Sequence, residues 1–323
     1  MEQRVVFMFS GQGSHYYQMG ERLFNHNNTF REVMIELDGM VKKLIGESII
    51  KKIYQKNKGM MDSFDRLIYT HPAIFMVEYS LTQMLIQKGI KPDCVLGVSL
   101  GEYSSATIAG ILNVDEALES IIVQANAVER TCPAGKMLAV LGPFSIFEDP
   151  KVNQNSELVS INYDSHFVIS GESRKLDKIE QYLHNKGIYI SRLPVLFGFH
   201  SSAIDPISQQ FKNYLDYKSI QLPQIDFISG LYGEKMEQIN TDYLWDVIRQ
   251  PMKFSEAIRF LEDKCDHLYL DVGPSGTLSN FAKHHINCHS HSNTYSIMTP
   301  FKRELHNLEY FENEIIRERM GKR

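Results

Sequence analysis

Short apolar runs closed by Gly or Pro alternate along this chain with longer stretches whose apolar positions recur every three to four residues. "RVVFMFSGQG" and "DCVLGVSLG" have the first texture and read as buried strands, whereas "REVMIELDGMVKKLI" and "HPAIFMVEYSLTQMLIQKG" have the second and read as helices. The alternation predicts an α/β protein with a mostly parallel sheet. Near Thr131 the texture changes. "GKMLAVLG", "LVSINYDSHFVISGES", "LDKIEQYLHNKG" and "IYISRLPV" run strand, strand, helix, strand, which predicts an inserted α+β subdomain over 130–197. Residues 1–129 and 198–323 then form the larger subdomain, to which "QIDFISGLYG" and "HLYLDVGP" add two strands. The closing "RELHNLEYFENEIIRERMGKR" reads as a charged amphipathic helix with a solvated face.

Composition narrows the function more than the fold. With 43% hydrophobic and 23% charged positions, 323 residues make an ordinary globular chain, and a net charge of -5 argues against nucleic acid as a partner. The N-terminal run "VVFMF" is too short for a signal peptide or a membrane span, so a cytoplasmic protein without membrane contact is expected. The four cysteines, Cys94, Cys132, Cys265 and Cys288, lack a C-x-x-C pair and read as reduced. "HHINCHSH", from His284 to His291, reads as a solvated loop, so no metal site is expected.

The chemistry concentrates at "GVSLGEYSSA", which contains Gly-x-Ser-x-Gly between a predicted strand and a predicted helix. In that context Ser99 is a candidate nucleophile on a sharp strand-to-helix turn, where flanking glycines let the two backbones pass closely. From the motif alone Ser99 reads equally well as a helix cap. The N–H of Leu100, the residue after the serine, is a candidate oxyanion donor. A second turn, "SGQGSHYYQMG", lacks the spacing of a nucleotide loop; placed beside the elbow, it would offer the Gln12 N–H as a second donor. A serine needs a base. His200, in "LPVLFGFHSSAIDP", lies among small and apolar residues where an imidazole is poised near neutrality.

The ordered set "FSGQGSHYYQMG", "THPAIF", "GVSLGEYSSA", "FGFHSS", "RQPMKF" and "DVGPSGTL" resembles the malonyl-CoA:acyl-carrier-protein transacylase family, including the stand-alone acyltransferases of modular polyketide synthases. The resemblance implies an α/β-hydrolase-like large subdomain interrupted by a ferredoxin-like small one, with the active site between them. It implies Ser99 as acylated nucleophile, His200 as base and Gln12 in the oxyanion site. It also implies a carbonyl ahead of "RQPMKF" that orients the histidine, which counting back four from Pro251 puts at Val247.

Two departures from the family bear on substrate. Its elbow usually carries His where this chain has Val98, which makes the pocket drier. Relatives that select malonyl place an Arg nine residues before a Pro, where its guanidinium grips the carboxylate; counting back nine from Pro133 gives Gln124. Arg130 does not substitute, since six residues along a helix is about 120° from the Gln124 face. Phe199 before the histidine, and Leu100, go in the family with unbranched acyl groups. The expectation is an enzyme acting through an acyl-serine on acyl carrier protein thioesters, a proofreading hydrolase or acyltransferase for uncarboxylated groups. The competing readings are a malonyl-CoA:acyl-carrier-protein acyltransferase and a catalytically silent carrier-protein scaffold. An esterase is disfavoured because no triad acid is placed between Ser99 and His200. No cofactor is expected, the acyl group travelling on phosphopantetheine or CoA, and the chain is expected to act as a monomer.

Overall fold

A computed structural model of the chain describes residues 3–320. Its strands, in chain order, are β1 (Arg4–Phe9), β2 (Cys94–Gly97), β3 (Gly135–Leu141), β4 (Glu157–Tyr163), β5 (His166–Glu172), β6 (Tyr189–Arg192), β7 (Asp226–Ile228), β8 (Lys235–Met236), β9 (His267–Asp271) and β10 (Asn293–Ser296). Six form the main sheet in the order β10-β9-β1-β2-β7-β8, all parallel except the β7–β8 pair.

β1 is central, and its unbroken apolar run is what burial on both faces requires. Val5, Phe7 and Phe9 join the core built on the helix Leu67–Gln87, while Val6 and Met8 pack toward Phe254, Ile258 and Leu278 on the other side. Helix Leu67–Gln87 begins four residues before the apolar stretch read from the sequence, so His71 stands inside it, fully covered.

The second sheet spans residues 135–192, is antiparallel and has the order β4-β5-β3-β6. With its helices Pro150–Asn153 and Ser173–Asn185 it has the βαββαβ form of a ferredoxin-like unit, one strand more than the sequence pattern suggested. "LVSINYDSHFVISGES" is a hairpin: Tyr163 pairs with His166 across a turn at Asp164 and Ser165, which contains no glycine to mark it. The pleat divides the work of β3. Leu138 and Val140 pack under the helix with Phe167 and Ile169, whereas Met137 and Ala139 face the large subdomain.

At the C-terminal end one strand appears that the sequence pattern did not show, and one expectation changes. "HSNTYS" contains the edge strand β10, too short and polar to read as one. The helix Glu304–Met320 is not merely a solvated face, because Leu308, Phe311 and Ile315 are buried along one side.

Candidate active site

β2 ends at Gly97, and the chain turns through Val98, Ser99 and Leu100 into the elbow helix Gly101–Ile108. Close backbone crossing demands both glycines: a Cβ on Gly101 would lie 2.1 Å from the Phe9 carbonyl oxygen, and one on Gly97 2.5 Å from the Glu102 Cα. Ser99 is held at φ 56, the left-handed region that costs an L-residue about 1–2 kcal/mol. His200 is held there as well, at φ 59.

The two side chains meet. Ser99 Oγ stands 2.8 Å from His200 Nε2, and His200 Nδ1 stands 2.8 Å from the Gln250 carbonyl oxygen. A carbonyl only accepts, so Nδ1 carries the proton and Nε2 is free to accept from the serine hydroxyl. Burial lowers the His200 pKa to about 4 against the opposing pull of that carbonyl, which keeps the imidazole neutral at physiological pH.

The orienting carbonyl therefore belongs to Gln250 and not to Val247. Val247 is buried inside the helix Thr241–Arg249, whereas Gln250 follows its last turn with extended φ -89 and ψ 158, so its carbonyl is released from the helix. Pro251 is the cause, since a proline drives the residue before it out of helical conformation.

The "GQG" turn lies against the elbow. A Cβ on Gly11 would approach the Val98 carbonyl oxygen to 2.8 Å and Ser99 Cβ to 3.0 Å. Among the described residues neither the Gln12 N–H nor the Leu100 N–H donates within these turns, and both residues line the cavity that contains Ser99. Two buried acids brace the arrangement, and the sequence reading passed over both. Glu78 accepts from the Ser10 N–H at 2.7 Å, the Ser10 hydroxyl at 3.0 Å and the Ser104 hydroxyl at 2.7 Å, tying the "GQG" turn to the elbow helix. Glu102 accepts from the Gly230 and Leu231 N–H groups. Burial raises both carboxyls to about 8.

The cavity, of about 200 Å³, is roofed by Met137, Ala139 and Val168 of the small sheet. Val98, Phe199 and Gln124 all line it, together with His71. Gln124 is 1% exposed on the helix Val114–Thr131, and its Oε1 has no partner. No Lys, Arg, Asp or Glu is among the lining residues, and Arg130 is exposed on another side of the helix. The histidine tract is engaged elsewhere: His284 stacks on Tyr163 with ring centroids 3.8 Å apart, and His285 Nε2 lies 2.6 Å from the Asn162 carbonyl oxygen. Among the described residues no three His, Cys, Asp or Glu are grouped to hold a metal, and no helix is long and apolar enough to cross a membrane. All four cysteines are free.

Residues 6–321 match the family model described as acyl transferase domain. The chain belongs to that family. It is similar, at 46% identity over 317 residues covering 98% of each chain, to the polyketide biosynthesis acyltransferase homolog BaeD of Bacillus velezensis. The homolog PksD of Bacillus subtilis is likewise 46% identical, over 96% of this chain and 97% of its own. Among solved structures, a type II polyketide synthase acyl-carrier protein in complex with its malonyl-transacylase matches with TM-score 0.79 and 19% identity, over 94% of this chain and 99% of that one. The chain is thus an acyltransferase by family. Within the acyl transferase fold its cavity offers uncharged hydrogen-bonding groups and no cation.

Proposed function

We propose that this acyltransferase acts in polyketide biosynthesis, taking uncarboxylated acyl groups from acyl carrier protein thioesters onto Ser99 and passing them to water. The observation that carries the reading is Gln124, an uncharged side chain 1% exposed in a cavity lined by no Lys or Arg. A malonyl carboxylate there would lack an ionic partner, a loss on the order of 2–5 kcal/mol. The names of BaeD and PksD support the biosynthetic setting, and the transacylase bound to its acyl-carrier protein supports the partner.

The chemistry follows from the neutral His200. Its Nε2 takes the Ser99 proton as Oγ attacks the thioester carbonyl, and the N–H groups of Gln12 and Leu100 receive the oxyanion. The departing thiol takes the proton from Nε2–H. Water then enters, gives a proton to Nε2 and attacks the acyl-serine, and as the intermediate collapses Nε2–H returns that proton to Ser99 Oγ, releasing a carboxylic acid and restoring Ser99 and neutral His200. The Gln250 carbonyl holds the ring through both half-reactions and partly offsets the positive charge that His200 acquires. No cofactor takes part. A phosphopantetheine thiol entering in place of water makes the same cycle a transfer.

Intact-protein mass spectrometry with acetyl-, butanoyl- and malonyl-carrier proteins tests this reading. An adduct dependent on Ser99 should form from acetyl and butanoyl donors and decay without a thiol acceptor. A long-lived malonyl adduct with negligible thioester hydrolysis would overturn it.

A further inference from the structure

Three side chains that line the Ser99 cavity carry buried polar atoms without a partner. Both ring nitrogens of His71, Gln124 Oε1 and Gln12 Oε1 are buried without a hydrogen bond, and all three residues line the chamber that contains Ser99. His71 and Gln124 are each 1% exposed. Such atoms are costly to leave unpaired, and several sharing one chamber point to what is meant to fill it.

We propose that His71 and Gln124 form a hydroxyl-binding subsite, and that the chain selects acyl groups bearing a hydroxyl on the carbons next to the thioester. This rests on the acyl-serine reading above and adds the substrate class. Desolvation, with His15 nearby, lowers the His71 pKa to about 3, so its ring is neutral and offers one donor and one acceptor. The two glutamine oxygens add acceptors. A carboxylate can use only N–H donors and leaves the acceptors of His71 and the two glutamines unpaired; an alkyl chain satisfies nothing. An ammonium would find acceptors but no acid to offset its desolvation, since no Asp or Glu lines the cavity. A hydroxyl donates once and accepts readily, matching the mixed set without a charge. Phe199, its ring centroid 5.6 Å from that of His71, supplies an apolar wall beside the polar corner.

The test compares kcat/KM of the full chain for pantetheine thioesters of butanoyl, 2-hydroxybutanoyl and 3-hydroxybutanoyl groups, read by thiol release. At least one hydroxyacyl ester should exceed butanoyl by about tenfold or more, as expected where buried polar groups await a substrate hydroxyl. Gln124→Leu and His71→Leu should each bring that ratio close to one. Butanoyl turnover equal to both hydroxyacyl esters in the unsubstituted chain overturns the subsite by itself, whatever the variants do, and so does a preference that survives both substitutions. If instead no thioester acylates Ser99 by intact mass, the acyl-serine reading falls and the subsite with it.

Discussion

Replacing Gln124 by Arg puts a guanidinium where the structure has a neutral amide, and the consequence can be worked in both free and acylated states. The position is 1% exposed, and the lining holds no acid to pair the new charge. An uncompensated buried charge costs about 3–5 kcal/mol. A cavity of about 200 Å³ holds several waters at roughly 30 Å³ each. With that partial hydration, the free variant should lose about 2 kcal/mol of stability, or about 3 °C in Tm for a chain of this size. A malonyl group reverses the balance by pairing its carboxylate with the guanidinium, a gain on the order of 2–5 kcal/mol, equivalent to roughly thirty-fold to several-thousand-fold in affinity. Intact mass after incubation with malonyl-CoA and acetyl-CoA reads the outcome: malonyl-Ser99 should rise by at least about thirty-fold relative to acetyl-Ser99. A folded Gln124→Arg protein whose malonyl loading is unchanged would refute the view that charge at this position decides the acyl group.

Three more outcomes follow from the same geometry. His200 is depressed to about 4 by burial, so kcat/KM should stay level from pH 8 down to about 6 and fall only as pH approaches 4; a midpoint near 6.5 would show an imidazole exposed to water. Because that folded-state value lies below the ordinary 6.5, the stability His200 contributes is present above 6.5 and lost as pH falls toward 4, about 3 kcal/mol in all, measurable by urea unfolding across that window. Glu78 runs the other way: raised from 4.5 to about 8, it favours folding below 4.5 and withdraws that stability as pH rises through 8, so Glu78→Gln should flatten the decline by up to about 1.4 kcal/mol per pH unit between those values, and an unaltered slope would contradict a protonated carboxyl. Gly101→Ala forces a methyl to within 2.1 Å of the Phe9 carbonyl and should cost at least about 3 kcal/mol together with labelling of Ser99 by a fluorophosphonate; a stable, fully labelled variant would disprove the tight crossing.

Much of the architecture could be read from residue order because the same physics acts locally. The run in β1 is apolar at every position because both faces are covered, and Gly97 and Gly101 are glycines because backbones cross there. Gln124 could be placed on the cavity only through the family resemblance, by its spacing from Pro133, while helical geometry served to set Arg130 on another face. Other parts were hidden for equally physical reasons. The partner of His200 Nδ1 is a main-chain oxygen, which no side-chain pattern encodes; its one signal is Pro251, which forces Gln250 out of the helix. Glu78 sits in "IFMVEYSL", an acid in an otherwise apolar buried run, and that contradiction could have marked it as a bonded interior group. The hairpin of β4 and β5 was missed because Asp164 and Ser165 make its turn without glycine.

The small sheet contributes none of Ser99, Leu100, Gln12, His200 or Gln250, yet it roofs the chamber through Met137, Ala139 and Val168. Its own core lies on the opposite face, under the helix Ser173–Asn185. Exchanging those three roof residues therefore alters the height and contour of the acyl chamber without disturbing either the catalytic constellation or the packing that folds the insert. A lineage with this division can retune chain length one roof residue at a time, with reactivity held constant by a different part of the molecule.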